Sequence, residues 1–523
     1  MQNFTRLTIL LLVGLASTGC TDLELTPEDR ANPDTIFSQE ENYTSALARV
    51  YAGLAVTGQQ GPAGAGDISS VDEGFGNYLR QYWQLQELPT ETAVIAWGDA
   101  GVRDLHEQTW SSDNQFVRAL YYRIFYQVSQ ANEFLRETTD DRLAARGIRE
   151  AFRPTVAGYR AEARFLRALS YWHGIDLFGD VIFYTEANAV GGTAPAPRPR
   201  AEIYRFLLDE LAAIENELPA PGEQEYGRAD RGAVWMLRAK LYQNAGVYTG
   251  ADAHGDALAE LDRLLNTDAY TLDEDYLGVF LADNHLSPEL IFSIPFDGER
   301  TQGFGGMTYL THAPVGGNMD PAAFGINGGW SGLRTTPQFV GLFPDGAASA
   351  DGRALFFTDG QSLEVDNIGD FSSGYAITKY RNVTSDGLAG SDPRFADNDF
   401  PLFRLGDAYL MYAESALRSG SNQGRALELV NALRRRAYGD ESADLTADEL
   451  TLDFLLAERG RELYWEGHRR TDRIRFDRYS DEGVWAWKGG IQQGQTTGAF
   501  RDLYPIPASE LVANPNLSQN DGY

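Results

Sequence analysis

Val234-Trp235-Met236-Leu237-Arg238-Ala239-Lys240-Leu241-Tyr242 is followed by Gly246, and then Ala257, Leu258, Leu261 and Leu264 recur at helical spacing. The pattern returns much later in the chain. Ala408-Tyr409-Leu410-Met411-Tyr412-Ala413 is followed by Gly420, and then by Ala426, Leu427, Leu429, Val430 and Leu433. Each stretch reads as a helix ending near a tyrosine, a glycine-containing turn and a return helix. The alanines leave little bulk where the two helices cross.

Such units are hairpins of the tetratricopeptide type. They lie too far apart in sequence to predict a regular solenoid. Other segments carry the same period. Tyr43, Ala46, Leu47, Val50, Tyr51 and Leu54 share a face of a helix beginning near Ser38. Phe116, Leu120, Ile124, Val128 and Ala131 mark a helix over 116–135. Val156, Tyr159, Ala163, Leu166, Leu169 and His173 mark another over 155–178, stopped by Gly179-Asp180. The fold class is mostly α: helical hairpins supporting a loop-rich binding face with a few short strands.

From about Tyr270 to Asp399 the period is lost. Gly, Asn, Asp and aromatic residues dominate, with short apolar runs such as Leu290-Ile291-Phe292-Ser293-Ile294 and Ala376-Ile377-Thr378-Lys379-Tyr380. Long ordered loops in a helical protein carry binding function more often than structure. The chain is accordingly divided into helical residues 35–269 and loop-bearing residues 270–523. Gly58 to Gly76 reads as a further glycine-rich loop.

Residues 1–19 read as a lipoprotein signal peptide. One charge, Arg6, precedes an apolar run from Leu7 to Ala16, then Ser17-Thr18-Gly19 and the single cysteine, Cys20. The run is too short to span a bilayer. A thiol directly after small residues is a lipidation site, although Ser17 stands where a bulky aliphatic residue is usual. Residues 20–34, polar and containing Pro27 and Pro33, form the lipidated tether, with Asp22 and Glu24 suited to export to the cell surface. No second apolar run is long enough for a membrane helix, so attachment to the membrane is through lipid alone. With one cysteine, no intrachain disulfide is possible.

Net charge is -31, and lysine occurs only at Lys240, Lys379 and Lys488. Such a surface repels phosphate backbones and anionic lipid, which excludes nucleic acid as a partner class. It suits a protein working in brine, where salt screens self-repulsion.

Catalytic and metal motifs are missing from the sequence. His106, His173, His254, His285, His312 and His468 show no metal-ligand spacing, so no metal and no cofactor are expected. His173, on an apolar helix face, reads as a core residue. Gly329-Trp330-Ser331-Gly332 breaks the nucleophile-elbow pattern at its last glycine. Glu458, Glu462 and Glu466, four apart among Arg459, Arg461, Arg469, Arg470 and Arg473, read as an ion-pair network between packed helices rather than an anion site. The better functional lead is aromatic. Trp83, Trp97, Trp110, Phe304, Tyr309 and Trp330 sit among Gly, Asn and Asp, where an indole or phenol can stack on the C–H face of a sugar. Each could instead plug the core beneath a loop.

Several segments together resemble the SusD/RagB family of outer-membrane nutrient-binding lipoproteins: Arg160-Ala161-Glu162-Ala163-Arg164-Phe165-Leu166-Arg167-Ala168 with Leu177-Phe178-Gly179-Asp180-Val181; Phe400-Pro401-Leu402-Phe403-Arg404-Leu405; Glu458-Arg459-Gly460-Arg461-Glu462 with Glu466-Gly467-His468-Arg469-Arg470; and Leu503-Tyr504-Pro505-Ile506-Pro507 with Asn514-Pro515-Asn516-Leu517. The resemblance implies a surface-exposed outer-membrane receptor without catalysis, which passes oligosaccharide to a SusC-like TonB-dependent transporter. A narrower likeness, through Asp72-Glu73-Gly74, Tyr78-Leu79-Arg80-Gln81 and Ile95-Ala96-Trp97, is to the starch-binding branch. It implies that Asp72, Arg80, Trp97 and Trp330 contact maltooligosaccharide, with Tyr309 as a further stacking aromatic. Ala100 stands where the branch has asparagine. The alternatives are a lipid-anchored glycoside hydrolase and a peptide receptor of the same fold.

Overall fold

The computed structural model describes residues 33–58, 61–62, 66–69 and 71–523. The leader, the lipidation expected at Cys20 and all but the end of the tether lie outside the described residues. In chain order the main elements are α1 (Glu41–Ala52), α2 (Tyr78–Glu87), β1 (Val94–Ile95), α3 (Val102–Glu107), α4 (Gln115–Glu137), α5 (Arg153–Phe178), α6 (Arg200–Ile214), α7 (Arg231–Gln243) and α8 (His254–Leu265). They are followed by β2 (Leu290–Ile294), α9 (Gly306–His312), β3 (Leu333–Arg334), β4 (Phe400–Arg404), α10 (Leu405–Ser419), α11 (Gln423–Tyr438) and α12 (Leu452–Leu463).

The helices pack as successive hairpins: α4 on α5, α5 on α6, α7 on α8 and α10 on α11. The two units that resemble each other in sequence also meet in space, because α8 lies against α10. Their small crossing residues Ala239, Ala257, Ala408, Ala413 and Ala426 are all fully buried. The Asp230 side chain starts α7 by accepting the Ala233 N–H at 3.0 Å, and Gly420, at φ 70°, closes α10. One apolar cluster runs through residues on both sides of position 270, from Phe37 to Ile506.

β2 and β4 pair antiparallel with every residue buried, Leu290 opposite Arg404 and Ile294 opposite Phe400. The loop-rich segment therefore leaves the scaffold after Ile294 and re-enters it at Phe400, through one strand pair. The other end of the strand pair, at Leu290 and Arg404, is locked by charge. The Arg404 guanidinium, 1 % exposed, reaches Glu289 at 2.6 Å, Glu462 at 2.7 Å and Glu466 at 2.6 Å. Arg436 joins Glu289 at 2.6 Å, and Arg353 joins Glu458 at 2.9 Å and Glu462 at 3.0 Å. The charged run at 458–473 is thus the ion-pair network between packed helices that its spacing predicts. Burial alone would raise the Glu462 carboxyl, but Arg436, Arg404 and Arg353 overcome it and hold the group well below the usual carboxylate range. His173 is also a core residue, 2 % exposed, with Nδ1 at 2.8 Å from the Tyr78 hydroxyl and its ring stacked on Tyr82. Burial pushes it down to about 3, so it is neutral.

Removing one acid from this network leaves arginines buried without their counter-charge. We expect Glu462→Ala to lower unfolding free energy by about 3–5 kcal/mol in denaturant melts. Since the Glu462 carboxyl is depressed in the fold, its stabilisation is complete above about pH 4.3, the ordinary glutamate value, and is lost as pH falls further.

All three lysines are buried, Lys240 at 4 % exposure and Lys379 and Lys488 at 0 %. Lys240 pairs with Asp407, Lys379 with Glu466, and Lys488 donates to the carbonyls of Tyr479, Ser480 and Gly483. The outer surface consequently carries its acid excess with no lysine to offset it. Raising sodium chloride from about 0.1 M to about 1 M shortens the screening length from about 10 Å to about 3 Å, and the melting temperature should rise. A melting temperature that falls over this range would contradict a self-repelling surface.

Candidate functional site

β1 and β3 form a two-residue antiparallel pair, Val94 opposite Arg334 and Ile95 opposite Leu333. The pairing continues one step further, with the Ala96 N–H donating to the Gly332 carbonyl at 2.8 Å. Just past it the chains present Trp97 and Trp330 side by side. Their ring centroids lie 6.3 Å apart at 44°, and the Trp97 indole N–H donates to the Trp330 carbonyl at 3.0 Å. Both indoles are half-buried. Gly332 permits this approach, since a Cβ there would stand 2.6 Å from the Trp97 ring.

Segment 330–333 hangs from the C-terminal end of α9. The last carbonyls of a helix lack intrahelical partners. Here Trp330 N donates to His312 O at 2.9 Å, and Gly332 and Leu333 both donate to Ala313 O, at 2.7 and 2.9 Å. The His312 ring lies against Trp330 at 4.9 Å and 32°, so one side of that indole rests on imidazole.

Arg80 lies beneath. Asn77 caps α2 by accepting the Arg80 N–H at 3.0 Å, which fixes where the side chain begins. The guanidinium is 4.3 Å over the Tyr309 ring and 5.7 Å over Trp97, and donates to the carbonyls of Gly74 at 3.2 Å and Phe304 at 3.3 Å. The side chain is 8 % exposed, and its Nε has no partner among the described residues. Burial lowers its pKa, partly offset by Tyr309, Asp99 and Asp72.

The expected site residues fall into different layers. Trp97 and Trp330 share the open face, and Arg80 adjoins them from below. Asp72 is exposed, and its Oδ1 accepts the N–H groups of Gly74 at 2.8 Å and Phe75 at 3.0 Å, so it shapes the turn leading to α2. Tyr309 corrects the expectation of a stacking aromatic. It is 0 % exposed, its hydroxyl accepts from Gln84 at 3.2 Å, and its ring is covered by Arg80. Tyr309 therefore supports the face from within. Its phenol is pushed up to about 12 by burial, with Arg80 opposing. Trp83 and Trp110, at 0 % and 1 % exposure, plug the core.

Phe304 extends the face instead. It is half-buried, 6.4 Å from Trp330 at 61°, and the exposed Arg394 lies 5.7 Å from its ring. The sequence signal was the glycine context of Gly303-Phe304-Gly305-Gly306, the same kind of setting that surrounds Trp330. His312 had no comparable signal, since its contact with Trp330 depends on the turn of α9. The open face is thus an arc of Trp97, Trp330 and Phe304, underlain by Arg80 and rimmed by Asp72, Asp99 and Arg394. Among the described residues no group of three or more His, Cys, Asp or Glu is placed to hold a metal ion, and no helix is long and apolar enough to cross a membrane.

A helical-hairpin scaffold bearing an open aromatic arc defines a binding protein. The SusD family model matches residues 348–523. The chain is 32 % identical to "Starch-binding protein SusD" of Bacteroides thetaiotaomicron over 98 % of both chains, and it belongs to the SusD family. Its fold is similar to that of a SusD superfamily protein from Bacteroides thetaiotaomicron, at TM-score 0.72 and 19 % identity, covering 92 % of this chain and 99 % of that one. It is also similar to a "Laminarin binding SusD-like protein", at TM-score 0.70 and 21 % identity, covering 92 % and 99 %. Membership fixes the class as a binding protein and not an enzyme.

Proposed function

We propose that the protein captures oligosaccharides at the cell surface on the arc of Trp97, Trp330 and Phe304. The observation that carries this reading is the pair of half-buried indoles, held 6.3 Å apart by a hydrogen bond from one ring to the other residue's backbone. Two neighbouring sugar rings can stack on such a pair through their C–H faces, while the exposed carboxylates of Asp72 and Asp99 can bond hydroxyls at the edge. The starch-binding relative favours an α-glucan, such as maltooligosaccharide, as the ligand. Ala100 on the exposed loop after Trp97 offers no side-chain hydrogen bond, so selection there depends on shape.

Capture is the first half of the role. We propose that the chain is held on the outer membrane through lipid at Cys20 and hands its ligand to a SusC-like TonB-dependent transporter. Support comes from the leader sequence and from family membership.

For the secreted, soluble form, Trp97→Ala and Trp330→Ala should each weaken maltooligosaccharide binding by about 1–3 kcal/mol in calorimetry with little change in melting temperature. Loss of stability with unchanged binding would reverse the assignment and make both tryptophans core plugs. Preferential binding of peptides over glycans would instead support the peptide-receptor alternative. For delivery, cells lacking the protein should take up limiting oligosaccharide more slowly than wild type, and mild detergent should extract it together with a barrel. Extraction alone, with uptake unchanged, would contradict delivery.

A further inference from the structure

Trp97 stands where β1 ends. Its own strand pairing stops at Ala96, and the next three residues, Gly98, Asp99 and Ala100, are exposed. An indole on such a junction needs its backbone fixed if it is to keep one orientation. The β3 side supplies the Gly332 carbonyl and the Trp330 carbonyl. On the other side a single residue reaches back from α3. Arg103 Nε donates to the Trp97 carbonyl at 2.9 Å, and its Nη2 donates to the Ala96 carbonyl at 2.7 Å.

We propose that Arg103 is the positioning residue of the glycan-binding face, setting the orientation of Trp97 through the Ala96 and Trp97 carbonyls. Successive carbonyls of an extended strand point to opposite sides. One guanidinium can donate to both only where the strand has turned, and the fixed fork of arginine defines that turn. The clamp itself is rigid. α3 is anchored by buried Val102, Leu105 and His106, with the His106 ring nitrogens 2.9 Å from Leu88 O and 2.8 Å from Ala486 O. Space for the guanidinium is built in at Gly369, where a Cβ would stand 2.9 Å from Arg103 Nη2. Arg103 thus acts through Trp97, by two charge-assisted bonds to its main chain.

The affinity part of the test rests on the glycan-capture reading, and the spectroscopic part does not. Fluorotryptophan is incorporated into the whole soluble protein, and the Trp97 fluorine resonance is assigned with Trp97→Phe. Arg103→Ala should broaden or split the Trp97 resonance while those of the core residues Trp83, Trp110 and Trp465 stay in place. Maltooligosaccharide affinity should fall about tenfold, the scale of lost hydrogen bonds to a charged group. Arg103→Lys, which cannot fork to both carbonyls, should fall between Arg103→Ala and wild type, and it decides the matter if the alanine variant folds poorly. An unmoved Trp97 resonance in both variants overturns the proposal, whatever the affinity. A wild type that binds no maltooligosaccharide refutes the α-glucan reading and leaves the fluorine result to decide for or against Arg103.

Discussion

Arg404 carries a full charge at 1 % exposure, and the rest of the fold is arranged around satisfying it. Burying a charge is tolerable only when partners replace its water. Glu289 comes from the turn before β2, Glu462 from α12 and Glu466 from just beyond α12, while Arg404 itself joins β4 to α10. One guanidinium therefore ties the strand pair to the stack of hairpins. The long segment between residues 294 and 400 leaves from the other end of that strand pair, where Ile294 lies opposite Phe400. It contains Phe304, α9 and Trp330, and Arg353 within it reaches Glu458 and Glu462, so the ion network also ties this segment to α12.

The binding face is assembled by a second, weaker set of constraints. The β1–β3 pair brings residues near 96 and 332 together from opposite parts of the chain. The free carbonyls at the end of α9 carry the backbone of Trp330, and His312 supports its ring. Arg80 fills the space between the indole layer and buried Tyr309 and donates to the main-chain carbonyls of Gly74 and Phe304. The outcome is an aromatic surface fixed from below and open above. Stacking on such a surface is tolerant of sugar identity, and the polar rim supplies what selectivity there is. A separate apolar cavity of about 360 Å³, between Leu47, Tyr51, Leu54, Phe292, Ile294 and Pro295, does not contain any of these aromatic residues.

Much of the scaffold was legible because helical burial repeats locally. The apolar face over 155–178 is buried at Val156, Ala163, Leu166 and Leu169, and the hairpin closed by Gly420 forms where its alanines and leucines place it, whereas in the other hairpin Gly246 lies inside a short helix, Ala245–Thr249, and the left-handed glycine is Gly250. Part of the charge run at 458–473 was readable for the same reason, since Glu458 and Glu462, four apart on α12, share a face, whereas Glu466 lies beyond the end of the helix. Non-local features were not. Nothing in Ile95-Ala96-Trp97 indicates a partner at Leu333, so contact between the two tryptophans could be reached only through family likeness. The family likeness suggests Tyr309 as a stacking residue, but seven-residue α9 turns its ring inward under Arg80. Phe304, in a glycine context of its own, stands on the face instead. Arg103 carries no sequence signal, because its contacts are with backbone carbonyls that sequence patterns do not show.

The most direct measurement is a crystal structure of the soluble protein with a bound maltooligosaccharide. The expected result is ordered sugar across the exposed faces of Trp97 and Trp330, with Phe304 alongside, Arg80 or Asp99 within hydrogen-bond reach of a hydroxyl, and the backbone at Ala96–Trp97 unmoved from its present position. Ordered sugar elsewhere, for example in the apolar cavity beside Tyr51 and Phe292, with both indoles left bare, would contradict it.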